Sequence, residues 1–422
     1  MTVAQPYQVT TRLLDNGLRV TASHDPLAPG AAVNLWYDVG SADDPPGASG
    51  FAHLFEHLMF AGSAHVRDGQ HNVILEALGG MSNATTSPDR TNYYETVPLG
   101  AFELALWLEA DRLSSLRVSR NSLATQRGVV HEEKRQRYDN QPYGDQLELM
   151  LGLGFPEGHP YATPTIGVMS HLDAASLADV QAFHTTWYRP DNASLVVVSP
   201  LADDEVFRCV EKYLGWIEPG VPLERVTPQA LPPLEGVPRL RVERPVPRAV
   251  LDLLWRAPSV THADRPAVGF AMAVLAIGQA SRLHRDLVRN RGIAQGVGTS
   301  DLGFTGGTSL VSLGAAPVAD GDLAALEQAI LEHLEKLIAE GPTPAEMSLA
   351  RAQIERNWYA ELAGLLHRAD AINEAVVVFG DAGYVNHQLD RWLAVTADDV
   401  TKAAATWLQP ENRAVLEYEV AS

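Results

Sequence analysis

Residues 53 to 57 read His53-Leu54-Phe55-Glu56-His57, an H-x-x-E-H stretch within the apolar run Phe51 to Phe60. If this run is a helix, positions i and i+4 stack on one face and i+3 lies beside them. Two imidazoles and a carboxylate then address one point. A catalytic zinc uses this set: two neutral nitrogen ligands, and a carboxylate near enough to take a proton from water. The order mirrors the H-E-x-x-H of other zinc enzymes. The flanks Phe51, Ala52, Leu54, Phe55, Leu58, Met59 and Phe60 predict a largely buried helix, where polar groups need partners. A metal supplies them.

Two histidines do not complete such a site, and a third protein ligand is expected. Candidates lie in Val129-Val130-His131-Glu132-Glu133-Lys134, in a second apolar-periodic segment. Helix phase alone leaves His131, Glu132 and Glu133 open. Between the two segments, Gly79 to Ser87 and Thr91 to Val97 read as a hairpin of β-branched and aromatic residues around turn residues. The Gly-rich stretch Gly303 to Thr308 lacks a lysine and a helix start, and reads as another hairpin turn.

The elements that position these residues are written twice. Gly50-Phe51-Ala52 recurs 219 residues later as Gly269-Phe270-Ala271. Thr186-Trp187-Tyr188-Arg189-Pro190-Asp191-Asn192 returns 220 residues later as Thr406-Trp407-Leu408-Gln409-Pro410-Glu411-Asn412. Two matches at nearly one offset indicate a tandem duplication. Each half predicts strands (Leu18 to Ala22, Ala31 to Val39), the motif helix, the hairpin, long helices (Ala101 to Leu116, Ser122 to Tyr138) and a closing helix and strand (Leu177 to Trp187, Ala193 to Ser199). The expected fold class is α+β: two homologous domains in tandem, each a mostly antiparallel sheet covered by helices. The boundaries fall at 1–217 for the metal-bearing domain, 218–237 for a Pro-rich linker, and 238–422 for the second domain. The copies differ where the chemistry is, since Met272, Leu275 and Ala276 stand opposite His53, Glu56 and His57.

Composition narrows the functional classes. The chain has 422 residues, which suits two domains, and a formal net charge of −20, which argues against nucleic acid or anionic membrane as partners. Its single cysteine, Cys209, excludes an internal disulfide and a Cys-rich zinc site. No apolar run reaches the roughly 18 residues of a membrane span. No signal peptide is visible, so a soluble cytoplasmic or periplasmic protein is expected, with the compartment itself unknown.

The motif with Glu133 downstream, approached through Gln126-Arg127-Gly128-Val129-Val130-His131-Glu132-Glu133, resembles the pitrilysin and insulin-degrading enzyme family of inverzincin metallopeptidases. By size the chain is similar to its mitochondrial-processing-peptidase-like bacterial subgroup, as the subunit that bears the zinc motif. The resemblance implies one Zn²⁺ per chain on His53, His57 and Glu133, with Glu56 as the general base. It implies an edge strand that takes peptide substrates through the Asn83-Ala84 pair. It places Gln126 in the surroundings of the ligands, where the family often has Glu. The family also draws on an Arg and a Tyr from its second domain. Aligned on Gly292, those positions are Val288 and Gln295 here; a one-residue slip offers Arg289, and no tyrosine lies between Tyr213 and Tyr359. A heterodimer is therefore expected, with a homologous subunit carrying the Arg/Tyr pair, or a homodimer in isolation. The alternative is a non-catalytic, structural core-type subunit of a larger complex.

Overall fold

A computed structural model of the chain describes residues 7–221, 223, 225, 227–318 and 321–421. The Pro-rich linker at 218–237 is thus described except at positions 222, 224 and 226. Two sheets carry the fold. The first contains β1 (Thr10–Leu13), β2 (Arg19–His24), β3 (Ala31–Tyr37), β4 (Met81–Thr86), β5 (Thr91–Val97) and β6 (Ala193–Ser199), in the order β1-β2-β6-β3-β5-β4. The second contains β7 (Arg239–Arg244), β8 (Val250–Pro258), β9 (Ala294–Leu302), β10 (Thr308–Pro317) and β11 (Arg413–Val420), in the order β7-β11-β8-β10-β9.

Apart from β1, the sheets match strand for strand. Each has one parallel pair, β2 with β6 and β7 with β11, and is otherwise antiparallel. The duplication read from two short words is therefore a duplication of topology. Both expected hairpins are present, as β4–β5 and β9–β10.

The helices of the first half are α1 (Phe51–Leu58), α2 (Gln70–Glu76), α3 (Phe102–Ser115), α4 (Arg120–Lys134), α5 (Gln146–Gly154), α6 (Met169–Ala174), α7 (Leu177–Trp187) and α8 (Asp203–Leu214). Those of the second are α9 (Arg265–Ala276), α10 (Leu323–Glu340), α11 (Pro344–Leu362), α12 (Leu365–Val378), α13 (Gln388–Leu393) and α14 (Ala397–Trp407). The helix expected over Ser122 to Tyr138 ends its α-helical part at Lys134, and a π-helical turn follows over Arg135–Asp139.

Every residue of β3 and β6 is buried, so both faces of the first sheet are covered. One cover comes from far along the chain. Ala369, Ile372, Ala375 and Val376 of α12 pack on Ala32, Val196 and Val198. In the second sheet Met150 of α5 packs on Leu254, Ala414, Leu416 and Tyr418. The compact units are accordingly discontinuous. One comprises Met1–Lys134, Thr163–Arg225 and Trp358–Gln388; the other comprises Arg135–Ala162, Val226–Asn357 and Leu389–Ser422. Relative to a cut at 218–237, each half of the sequence gives one segment to the other's unit. A sheet buried on both sides needs a second cover, and a single half does not supply it.

Helix α9 shows what became of the second copy of the motif helix. Met272, Leu275 and Ala276 are all buried among the apolar residues of the second unit. The positions that face a polar cluster in α1 face a hydrocarbon core in α9. No helix among the described residues is long and apolar enough to cross a membrane.

Candidate active site

Helix α1 begins at Gly50, whose φ of 94° is left-handed and whose Cβ, if present, would lie 2.9 Å from the Ile166 carbonyl oxygen. Glycine is required there by conformation and by space. It also leaves the helix without a capping side chain of its own. Asp44 supplies one: its carboxylate accepts the Gly50 N–H at 2.6 Å and the Ala52 N–H at 2.8 Å. Phe51, Leu54, Phe55 and Leu58 are buried, and Phe55 stacks on Phe183 of α7 with ring centroids 5.0 Å apart. With the apolar face fixed, His53, Glu56 and His57 are turned toward one side.

On that side α4 presents Glu133. Its Oε2 lies 3.2 Å from His57 Nε2 and 3.6 Å from His53 Nε2. The imidazole centroids are 5.0 Å apart at an interplanar angle of 81°. One ligand atom from each of the three residues falls within 4.8 Å of the others. Three tetrahedral ligands of a single zinc stand about 3.4 Å apart, given Zn–N and Zn–O bonds near 2.1 Å. The observed separations bracket that value. His57 Nε2 is buried without a hydrogen bond, although it faces the carboxylate. A lone pair and a carboxylate aimed at one small space suit a divalent cation, so these residues fit zinc.

The three α4 candidates point to different places. His131 points to Asp173, with Nε2 and Oδ1 2.9 Å apart, and Glu132 is exposed. Of the three candidates Glu133 is the one that meets both histidines. Gln126 is half-buried two helical turns before it, on the same side of α4.

Glu56 is half-buried, and its Oε2 accepts a 2.6 Å hydrogen bond from Thr86 Oγ1. Thr86 ends β4, the edge strand of the first sheet. Asn83 and Ala84 lie on the same strand. Ala84 is buried, while Asn83 is exposed and turns its Oδ1 to the Ala84 N–H at 2.9 Å. Sequence reasoning missed Thr86 and Asp44. The signal for Asp44 was an apolar helix opening on glycine with an acidic residue shortly before it.

Behind α1 lies a buried ionic cluster. Arg112 is paired with Glu109 and sits 3.5 Å from Glu95, whose Oε1 is 3.3 Å from His71 Nε2. His71, Glu95 and Glu109 are spaced like metal ligands, but the Arg112 guanidinium fills the cationic role. Burial raises Glu109 to about 8, and it lowers His71 to about 3. The guanidinium lies over the rings of Phe60 and Tyr93, and the Tyr93 hydroxyl donates to the Phe55 carbonyl at 3.1 Å. The cluster thus braces the motif helix from below.

The second-unit positions matched to the Arg/Tyr pair hold other chemistry. Val288 packs against the apolar core. Gln295 accepts a hydrogen bond from Arg248, and Arg289 donates to Gln279 at 3.0 Å.

Comparison with known proteins agrees with this architecture. Residues 19–165 match the family described as Insulinase (Peptidase family M16), and residues 174–354 match the Peptidase M16 inactive domain. Zinc protease PqqE of Helicobacter pylori is 27% identical over 402 residues, which covers 93% of this chain and 88% of that protein. An uncharacterized zinc protease of Mycobacterium leprae is 28% identical over 400 residues, covering 93% and 87%. The crystal structure of a protease from Helicobacter pylori superposes with a TM-score of 0.90 at 25% identity, over 98% of this chain and 99% of that one. Pitrilysin shares the fold, with a TM-score of 0.79 at 20% identity over 98% of this chain and 45% of its own. Two adjoining domains of one family, in its order and on its fold, make this chain a member of peptidase family M16, the insulinase family.

Proposed function

We propose that the chain is a zinc metalloendopeptidase subunit that hydrolyses peptides or unfolded segments. One observation carries the reading: His53, His57 and Glu133 converge on one point, with Glu56 beside it. In this reading His53, His57 and Glu133 hold one zinc ion. When bound, zinc acidifies a water and polarises the scissile carbonyl. Glu56 takes the proton of the attacking water and returns it to the leaving amine. Thr86 fixes the Glu56 carboxylate through its hydroxyl. The free edge of β4, at Asn83 and Ala84, binds the peptide backbone as an added strand, which gives affinity with little demand on sequence. Gln126 orients the α4 side of the site. The division into a metal-bearing repeat at 1–217 and a metal-free repeat at 238–422, joined by 218–237, belongs to the same proposal.

In this reading His53, His57 and Glu133 form the metal half, while Val288 and Gln295 stand at the positions where the family has its Arg and Tyr donors for the developing oxyanion. Such donors contribute about 10² to 10³ in rate. A homologous partner subunit that carries the pair completes the site. A further likeness supports this: a probable mitochondrial-processing peptidase subunit beta of Schizosaccharomyces pombe, a protein named as a subunit, is 28% identical over 218 residues, 52% of this chain and 47% of that protein.

The test measures zinc content and peptide cleavage for wild type and Glu56→Gln, alone and with an Arg/Tyr-bearing homologue. Wild type is expected to hold one zinc and to cleave in the pair. Glu56→Gln is expected to keep the metal and lose about 10² to 10⁴ in kcat. A chain that binds no zinc ends the peptidase reading; full activity of the chain alone ends only the shared site.

A further inference from the structure

The first unit contains a cavity of about 820 Å³ on the face of its sheet turned away from α1. Register establishes which face this is. Thr85 pairs with Asn92 and Met81 with Thr96, while Asn34 of β3 pairs with Tyr94. Directly paired residues share a face. Met81, Asn83, Thr85, Asn92, Tyr94, Thr96 and Asn34 therefore share one side, opposite Ala84 and Thr86. The cavity lies over that side, and the start of α12 closes it with Leu365, Leu366 and Asp370.

Two of its charged side chains, Asp370 and Arg90, are already engaged. Asp370 Oδ1 accepts from Asn34, Trp36 Nε1 and Asn92 at 3.1, 2.8 and 2.9 Å. Arg90 donates to the Thr85 carbonyl at 3.1 Å and to Asn92 at 3.3 Å. Apolar wall comes from Pro29, Met81, Pro98, Leu365 and Leu366, and the exposed His367 also lines the cavity. The cavity thus offers hydrocarbon surface beside polar side chains that bond to one another at Asp370 and Arg90.

We propose that this cavity is a side-chain recognition site for the peptide strand added to β4, selecting large apolar or aromatic residues at alternate positions. The inference rests on the strand-addition reading of β4. In an added strand, successive side chains point to opposite faces. One alternating set falls on the α1 side, with Glu56; the other falls on the cavity side. Neighbouring strands stand about 4.8 Å apart, so a cavity-side chain must lean across β4 to reach the wall beneath α12. Large side chains manage this and small ones do not. The main chain then supplies sequence-tolerant affinity, and the cavity supplies a preference of period two. Part of the recognition comes from the second half of the sequence, through Leu365 and Leu366.

The test uses the full zinc-loaded chain with Glu56→Gln, to prevent turnover, and two fluorescent peptides of one composition. In the first, Leu and Thr alternate; in the second, the Leu residues stand in adjacent pairs. Both end in lysine for solubility. The alternating peptide places every Leu on one face in either register, so it is expected to bind about tenfold more tightly. Leu366→Lys and, on the opposite wall, Met81→Lys are expected to bring the ratio toward one, with thermal unfolding recording that each variant is folded. Equal binding of the two peptides, or a ratio that survives both variants, overturns the proposal. Zinc content is measured on the same samples. A chain that selects the alternating peptide but holds no zinc supports the recognition site and sinks the peptidase reading; a chain that holds zinc but binds neither peptide sinks the recognition site alone.

Discussion

Thr86 links the edge strand and Glu56 within one residue: its backbone belongs to β4 and its hydroxyl donates to the Glu56 carboxylate. A hydrogen bond to a charged group is worth about 1.5–3 kcal/mol. Thr86→Val is therefore expected to lower kcat about tenfold or more with zinc content unchanged, and Thr86→Ser to restore it; equal rates for all three would free Glu56 from this dependence. The buried cluster makes a pH prediction. Glu109 is raised to about 8, so its contribution to stability is complete below the unfolded carboxylate value near 4.5 and is lost as pH rises through about 8. His71 is lowered to about 3, so its contribution is complete above about 6.5 and is lost as pH falls toward 3. Above about 6.5 the His71 limb is complete, and Glu109 titrates as a unit with Glu95, which burial also raises. Urea unfolding between about pH 6.5 and 8 should show declining stability in wild type and a flatter profile in Glu109→Gln. At this scale His53, Glu56 and His57 were legible because helix spacing is local. Glu133 was one of three neighbours until His131 was seen to pair with Asp173. Asp44 and Thr86 were hidden because a loop and a hairpin bring them to α1, and neither carries a periodicity.

Among the elements, α12 has the largest hidden role. Asp370 takes three donors from two strands, and Asn373 donates to the Asn34 carbonyl at 2.8 Å. Asp370→Ala strands Asn34, Asn92 and the Trp36 indole, and is expected to cost about 3 kcal/mol in urea unfolding. A loss below about 1 kcal/mol would mean that water replaces the carboxylate. The strands, hairpins and long helices were readable from alternation, turn residues and the repeated words. The destination of α12 was not. An amphipathic pattern tells that a helix has a face to bury, not which sheet receives it. The same limit applies to α5, whose Met150 packs on the second sheet.

At the scale of the molecule, the two repeats are related by sequence but not separable by a cut between them. A fragment of residues 1–217 keeps the motif, Glu133 and every strand of the first sheet, but lacks the cover over Ala32, Val196 and Val198. It is expected to bind a hydrophobic dye and to unfold without a cooperative transition, whereas the full chain unfolds cooperatively. A sharp transition for the fragment would show that α12 is dispensable to the first unit. The tandem architecture was visible in the spacing of two words; the exchange of segments was not, because repeats record ancestry and not packing.

That exchange also sets an order of events during translation. His53, Glu56, His57 and Glu133 leave the ribosome at least 225 residues (358 − 133) before residues 358–388 of the same compact unit. The nascent cluster of His53, His57 and Glu133 therefore waits, with one face of its sheet uncovered, until that segment is made. Products that stop before residue 358 leave that sheet face bare, so the unit that carries the motif closes only when its last segment arrives, and the waiting sheet is a surface for chaperones to shield.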